Sequence, residues 1–193
     1  MLFKRNKNKS NNSDEANFWD WFIKSNLLET SGEEFIEQIS PQLGKIHEVL
    51  VAEVGPVGQS PRELIISSDG IREGIVHVER LADSAPDLDD WKITRFRLPL
   101  PNYETIGIRF GDVHRNPQEL MYTLHENGSL FDIDIYASWC EETAPPDIAI
   151  FIFLDKAIGE YNVMCRIGEI RLNPMHQKPD HASTWNQLQA VFV

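Results

Sequence analysis

The sequence predicts an α+β fold, with an N-terminal helical hairpin packed on a mixed or mainly antiparallel sheet, interrupting helices and a C-terminal helix. Apolar residues recur at helical spacing over residues 16–50. Short β-branched runs bounded by turn-forming residues then dominate residues 51–137, and helical spacing returns near the end of the chain. These three observations define the class, and each element follows from its local pattern.

The first helix is predicted to begin near Ala16 and contains the aromatic stretch FWDWF. Phe18, Trp21 and Phe22 fall at positions i, i+3 and i+4, so they form one apolar stripe that docks the helix on the sheet. Trp19 lies beside this stripe. We therefore expect Trp19 to be the ring that stays exposed and available to a partner.

The second helix is predicted to begin at Ser31, which forms a capping box with Glu34. Pro41 is expected to end or restart it, because proline favours the first turn of a helix. Residues 47–98 then predict the order strand, strand, helix, strand. The two β-branched runs flank the loop PVGQSP, the helix covers GIVHVERLAD, and WKITRF alternates as a strand does.

A β-hairpin is the clearest local prediction in the second half of the chain. Asn127-Gly128 separates two alternating runs, and we expect both residues to occupy the centre of the turn with positive φ. The second strand of this hairpin places Asp132 and Asp134 on one face. The apolar residues between them point to the core.

The run DIAIFIFL is predicted to be a buried strand, because its β-branched content favours that choice over a buried helix. Asp155 is expected to cap the short turn that follows, and Gly159 to end that turn in a left-handed conformation. YNVMCRIGEIRLN predicts a further strand and HASTWNQLQAVF the closing helix.

The domain organisation is predicted as a basic tail and one domain. Residues 1–15 are rich in Asn, Ser and Lys, which favours a disordered tail over a segment that touches an anionic membrane weakly. Residues 16–193 form a single α+β domain, with 16–100 and 101–193 as its two possible sub-units. The longest apolar run has seven residues, too few for a membrane span, and no signal peptide is recognisable.

The charge distribution points to a protein partner. The chain has 30 acidic and 18 basic residues, a net charge of −12, and four of the basic residues lie among its first nine. The body is therefore more acidic than the total, which argues against nucleic acid and favours a basic protein partner. An alternative is that the charge serves solubility alone. The candidate partner-binding residues are Trp19, Asp87, Asp89 and Asp90.

Motifs for common chemistries are absent from the sequence. It contains no GxGxxG, P-loop, HExxH or GxSxG motif, and its two cysteines lack CxxC spacing. No cofactor is predicted. Paired carboxylates on one strand face, roughly 7 Å apart, offer the one candidate site for Mg²⁺ or Ca²⁺ or for acid–base work. The residues of this candidate site are Asp132 and Asp134, with Asp155, Glu160, Glu141 and Glu142 as possible neighbours.

Several stretches resemble a family of small bacterial cytosolic α+β proteins for which no activity is established. FWDWF, ELIISSDG, APDLDDW and FLDKAIGEYNVMCRIGEI carry this resemblance, which covers most of residues 18–172. It implies an intact bacterial α+β domain in the cytoplasm and assigns no catalytic residue. Immunity proteins of polymorphic toxins are also small and acidic, an analogy of size and charge only.

Two functional hypotheses follow. The first is a non-catalytic binding protein, immunity-like by that analogy, that presents an acidic surface to a basic partner. The alternative is a carboxylate-based metal-binding domain or enzyme that uses Asp132 and Asp134.

Overall fold

The computed structural model describes residues 13–140 and 148–192, which form an α+β fold with N-terminal helices, mixed and antiparallel strands and a C-terminal helix. The chain divides into two compact units. Unit 1 comprises the chain up to Ile66 together with Gly74–Thr94, and unit 2 comprises Ser67–Glu73 and Arg95–Val193. The predicted sub-units are continuous in sequence. In the structure, the short segment Ser67–Glu73 interrupts unit 1 and belongs to unit 2.

Unit 1 carries the predicted order of elements. Two helices are followed by strand, strand, helix and strand, and the sheet has the order β1-β2-β3. The elements are α1 (Asp14–Lys24), α2 (Gly32–Leu43), β1 (Val51–Val54), β2 (Arg62–Ser67), α3 (Ile75–Asp83) and β3 (Trp91–Arg95).

Serine side chains cap the first two helices. The Ser13 Oγ accepts a hydrogen bond from the Ala16 amide at 3.2 Å, so α1 begins at Asp14, two residues before the predicted start. The Ser31 Oγ accepts from the amide of the predicted capping-box residue at 3.3 Å. The prediction for Pro41 was wrong, because α2 continues through it. Pro41 lies near the end of α2, where its missing N–H removes only one of the helix's last hydrogen bonds.

The expectation that Trp19 is exposed was wrong. Its ring is only 3% exposed, and its Nε1 donates to the carbonyl of Leu81 at 2.9 Å. The buried face of α1 contains Phe18, Trp19 and Phe22, whereas Trp21 is only half-buried. The indole N–H finds a carbonyl on α3, and this removes the main cost of burying the ring.

Unit 2 contains two sheets and three helices within its described residues. The larger sheet has the order β8-β7-β6-β9, in which β7 pairs antiparallel with β6 and parallel with β8. The strands are β4 (Ile108–Phe110), β5 (Val113–Arg115), β6 (Leu120–Asn127), β7 (Leu130–Ala137), β8 (Ile167–Pro174) and β9 (Ser183–Thr184). The helices are α4 (Ile148–Ile158), α5 (Glu160–Arg166) and α6 (Gln189–Phe192).

The predicted hairpin is β6–β7, but its turn lies one residue later than expected. Asn127 pairs with Leu130, so Gly128 and Ser129 form the two-residue loop. Gly128 has a φ of 65°, as a loop with glycine at its first position requires. Asn127 belongs to the strand ladder and does not adopt positive φ.

The strand predicted over DIAIFIFL was wrong, because this run begins helix α4. Its buried residues recur in pairs four apart, and the pattern continues beyond Leu154 to Ile158, so the spacing is helical. Two further elements differ from prediction. YNVM belongs to helix α5 before β8 begins, and the predicted closing helix is a short strand, a 3₁₀ turn and the four-residue α6.

The core of unit 2 lies between α4 and one face of the larger sheet. Ile133 and Ile135 on β7 are fully buried, as their alternation with the aspartates predicts. They form one apolar cluster with Ile150 and Phe153 of α4 and Trp185 near the carboxyl end. The opposite face of β7 is therefore the face that presents polar side chains.

We predict that Trp19→Phe lowers the free energy of unfolding by about 1–3 kcal/mol, because it leaves a cavity and removes one of the two donors, the Trp19 Nε1 and the Ser84 Oγ, that the Leu81 carbonyl accepts from. The matched control, Trp21→Phe on the same helix, should cost less because Trp21 is only half-buried. Urea titrations followed by circular dichroism measure both. Equal losses in the two variants would contradict the assignment of Trp19 as the anchor of α1.

Candidate functional site

A groove of about 200 Å³, whose lining is polar as well as apolar, opens on unit 1. The end of α1, the turn Leu27–Glu29 and the segment that leads into β3 form its walls. Its apolar lining consists of Phe22, Ile23, Leu27, Leu28, Leu88 and Trp91.

Arg62 organises the groove from beneath. The side chain is only 1% exposed, and its guanidinium NH1 donates to the carbonyls of Leu27 and Leu28 at 2.9 and 2.8 Å. The Nε donates to the Gly55 carbonyl at 2.9 Å. The guanidinium carbon also lies 5.6 Å from the centre of the Trp91 ring, a cation–π contact. Arg62 thus positions both walls of the groove.

The apolar walls are closely packed where they are deep and exposed at the lip. Phe22 packs edge-on against Trp91 with ring centres 5.0 Å apart. Asn26 has a φ of 48°, a left-handed conformation that asparagine tolerates, and so reverses the chain between α1 and the next turn. Ile23 at the lip is 55% exposed. A ligand would therefore bury apolar area without first having to shape the groove.

Carboxylates line the groove beside this apolar surface. Asp89 and Asp90 are exposed, and in the described part of the chain their carboxylates make no hydrogen bond or ion pair. The backbone at Asp90 is nevertheless fixed, since its carbonyl accepts from the Arg62 amide at 2.8 Å. Asp87 is exposed two residues away but does not line the groove.

The surrounding charge is strongly negative. Unit 1 from residue 13 onward contains 15 acidic and 5 basic residues, a net charge of −10, and one of those basic residues is the buried Arg62. Such a field attracts cations and speeds their encounter. The groove therefore combines apolar side chains with an anionic surface.

Two of the predicted partner residues, Asp89 and Asp90, thus line the groove. Trp19 does not line it and is buried elsewhere in unit 1. Sequence reasoning missed Arg62 and Trp91 as organising residues. An arginine at the start of a strand of apolar residues was the available signal, because such a strand is mostly buried.

The predicted carboxylate pair lies on the polar face of the larger sheet. The Asp134 carboxylate accepts from Arg171 Nε at 2.6 Å and from Asn173 Nδ2 at 3.5 Å, and lies 2.8 Å from His125 Nε2. Burial opposes ionisation of Asp134, but the hydrogen bonds from Arg171 and His125 outweigh it, so the pKa of Asp134 lies below its ordinary value. Asp134 is therefore an ionised acceptor whose oxygens are occupied by protein donors.

Asp132 has a structural role at an irregularity in the ladder. The pairing of β7 with β8 shifts register between Phe131 and Ile133, and the Asp132 Oδ1 accepts from the Glu169 amide at 2.9 Å. A Cβ at Gly168 would meet that oxygen, so a larger residue there would require the Asp132 side chain to shift. The carboxylate thus satisfies an amide that the bulge leaves outside the ladder.

Glu160 is the most buried carboxylate among the predicted site residues, with no exposed surface. Its Oε1 accepts from Ser67 Oγ, the Ser68 amide and the Gly70 amide at 2.8, 3.2 and 3.1 Å. Its Oε2 accepts from the Arg97 amide at 3.1 Å. The SSDG and LDKAIGE stretches therefore meet at one buried charge within unit 2.

The prediction that Asp155 is an N-cap was wrong. Asp155 lies inside α4, and its carboxylate is 3.6 Å from Arg97 NH1. Gly159 has the predicted positive φ, 83°, and a Cβ there would lie 2.9 Å from Pro99. Glycine is therefore needed between α4 and α5 both for its conformation and for space.

The metal hypothesis remains a prediction. Within residues 13–140 and 148–192, no group of three or more His, Cys, Asp or Glu side chains is arranged to hold a metal ion. Glu141 and Glu142, proposed as neighbours of the aspartate pair, lie outside the described residues.

Comparisons with protein-family models, curated proteins and solved structures found no match. In the part of the chain that the structure describes, no helix has the length and apolar content to span a bilayer. The geometry described above is therefore the basis for inferring function.

We predict that Glu160→Gln lowers the free energy of unfolding of unit 2 by about 2–4 kcal/mol, because an amide group would face N–H donors that a carboxylate now satisfies. The control is Glu169→Gln in the same unit, whose side chain is 65% exposed and should cost less than about 0.5 kcal/mol. Urea titrations measure both. A neutral Glu160→Gln would show that the buried charge is dispensable.

Two histidines stack in unit 1. The rings of His47 and His77 are 4.3 Å apart and nearly parallel. Burial, with smaller effects from His47 and Arg80, lowers the pKa of His77, and Glu15 opposes this only in part. A neutral His77 is therefore the form that the folded chain favours.

We predict that acid destabilises unit 1 through His77. Below the unfolded pKa of about 6.5, the unfolded chain binds a proton that folded His77 resists, so stability is complete above that pH and declines as pH falls toward the lowered folded pKa. His77→Phe keeps the stack and should reduce the loss in urea midpoint between about pH 7.5 and 5.5. The control His181→Phe, at an exposed position, should lose as much as wild type. An undiminished loss in His77→Phe would exclude the histidine stack as its origin.

Proposed function

We propose that this chain is a non-catalytic binding protein whose groove accepts one apolar side chain of a cationic polypeptide segment. The observation that carries the proposal is the juxtaposition, in the described part of the chain, of an open groove that has apolar side chains in its lining with the exposed carboxylates of Asp89 and Asp90. A toxin neutralised by an acidic, immunity-like protein is one partner of this chemistry.

The size of the groove favours a side chain over a metabolite. Its volume of about 200 Å³ lies below the roughly 300–1,000 Å³ typical of small-molecule pockets. Its deep lining is aromatic and aliphatic, from Phe22 and Leu27 to Trp91. A side chain of the size of leucine or phenylalanine suits such a slot. The size of the groove therefore favours a polypeptide ligand over a small metabolite.

The charges support a cationic partner rather than a neutral one. Asp89 and Asp90 are exposed, so each ion pair with a partner contributes only about 0.2–1 kcal/mol and is weakened by salt. Burial of the anchor side chain contributes about 1.5–3 kcal/mol. These magnitudes favour fast, salt-sensitive binding of weak affinity.

The carboxylates of unit 2 give the enzymatic alternative less support. Asp134 and Glu160 already accept hydrogen bonds from several protein donors. A general base or metal ligand needs a free lone pair directed at its target. Binding through unit 1 therefore has the stronger geometric basis.

We predict that a synthetic peptide with one leucine flanked by Lys and Arg binds in low salt, and that its twin with Glu in place of the basic residues does not. Isothermal titration calorimetry measures both. Asp89→Asn/Asp90→Asn should weaken the basic peptide about five- to tenfold, because two attractive charges are lost. Ile23→Ser should weaken it as well, since Ile23 forms the lip.

The matched control is Glu33→Gln/Glu37→Gln, which removes two exposed charges from α2 of the same unit. It should change affinity less than about twofold, because these carboxylates do not line the groove. Equal weakening in the two double variants would show that net charge alone attracts the peptide. No binding of the basic peptide by wild type or any variant would overturn the proposed function.

A further inference from the structure

We infer that the groove has an occupant within the same chain: the amino-terminal segment of residues 1–9, which competes with an external partner for the groove. The inference rests on the proposed function, since it assigns the chain's own segment the chemistry of that function's ligand. It follows from composition, reach and charge.

The composition of this segment matches the groove. Its sequence MLFKRNKNK begins with three apolar residues and continues with four cations, and no acidic residue occurs before Asp14. Leu2 or Phe3 supplies an anchor of the size the slot accepts. Lys4 and Arg5 follow this anchor directly. Two cations at these positions can pair with the carboxylates of Asp89 and Asp90 beside the slot.

The attachment point of the segment allows it to reach. Ser13 caps α1, and the groove begins at Phe22 and Ile23 near the other end of that helix. Ten helical residues span about 15 Å. The residues between Leu2 and Ser13 span up to roughly 35 Å when extended, so the segment can return along α1 with chain to spare.

The charges favour this return over release into solvent. The segment carries four positive charges, while unit 1 from residue 13 onward carries −10. Asp20 is exposed on α1, between Ser13 and the groove, and Asp89 and Asp90 line the groove itself. The net negative charge of unit 1 therefore attracts the segment before it reaches the groove.

Tethering makes even weak affinity effective. A short flexible linker gives an effective concentration in the millimolar range. If the free segment bound with a Kd of about 0.1 mM, the tethered segment would fill roughly nine grooves in ten. An external ligand would then bind about tenfold more weakly than to an empty groove. The segment thus sets a threshold that a genuine partner must exceed.

The experiment uses full-length chain labelled with 5-fluorotryptophan and observed by ¹⁹F NMR. Trp91→Phe identifies the Trp91 resonance among the five tryptophans. Leu2→Ser/Phe3→Ser should shift that resonance, because the segment leaves the groove, and a synthetic peptide of residues 1–12 added in excess should shift it back. The control Asn11→Ala/Asn12→Ala should leave it in place. An unmoved Trp91 resonance in Leu2→Ser/Phe3→Ser would overturn the inference.

Dilution distinguishes the chain's own segment from that of a second copy. An intramolecular contact predicts that the wild-type Trp91 resonance keeps its position between about 500 and 10 μM, since tethering makes occupancy independent of protein concentration. A shift on dilution toward the position of Leu2→Ser/Phe3→Ser would assign the occupant to another molecule and overturn the intramolecular inference.

Affinity for the basic leucine peptide separates the inference from the proposed function. Leu2→Ser/Phe3→Ser should bind that peptide about tenfold more tightly than wild type. Equal, measurable affinities in the two proteins would overturn the inference and leave the proposed function standing. Absence of peptide binding in both, with an unmoved Trp91 resonance, would overturn both.

Discussion

The groove depends on one buried charge, the Arg62 guanidinium. Removing such a group from water costs several kcal/mol unless its donors are satisfied. Three backbone carbonyls and the faces of Phe35 and Trp91 satisfy it here. Because carbonyls belong to the main chain, the arginine fixes the path of the backbone at Leu27 and Leu28 as well as the packing of side chains. The slot is consequently formed before a ligand arrives, which lowers the entropic cost of binding.

Unit 2 applies the same principle with the opposite charge. Glu160 accepts hydrogen bonds from three backbone amides and one serine hydroxyl. It thereby links two chain segments, one at Ser67 and one at Arg97, to the start of α5. Phe96, beside that segment, has a φ of 58°, a strained conformation for a bulky residue that neighbouring contacts must maintain. In both units the buried charge determines backbone geometry. The carboxylates to which the proposed function assigns recognition, Asp89 and Asp90, are in contrast exposed.

Sequence patterns predicted the parts of this structure that local chemistry determines. The Ser31 cap, the strand–strand–helix–strand order of unit 1 and the alternation along β7 follow from rules that span a few residues. Sequence patterns gave wrong predictions where contacts between distant residues determine secondary structure or burial. The run that begins at Ile148 is helical because the sheet of unit 2 covers one of its faces, and Trp19 is buried because the Leu81 carbonyl, 62 residues away, accepts its N–H. The acidic part of the candidate site was predictable from charge, whereas its apolar slot was not, since it exists only once Arg62 joins two separate segments.

The separation of charge along the chain gives the groove a second property. A strongly acidic unit attracts any cationic segment within reach. The chain supplies such a segment at its own amino end, with apolar residues first and cations after them. A surface that we propose binds a basic partner is therefore open to competition from a segment of the same chain, whose effective concentration dilution does not lower. Selectivity follows from this competition, because a ligand that offers charge alone gains nothing over the tethered segment. A partner must fill the slot better than Leu2 or Phe3 does, and so discrimination rests on the apolar contact while charge governs the rate of encounter.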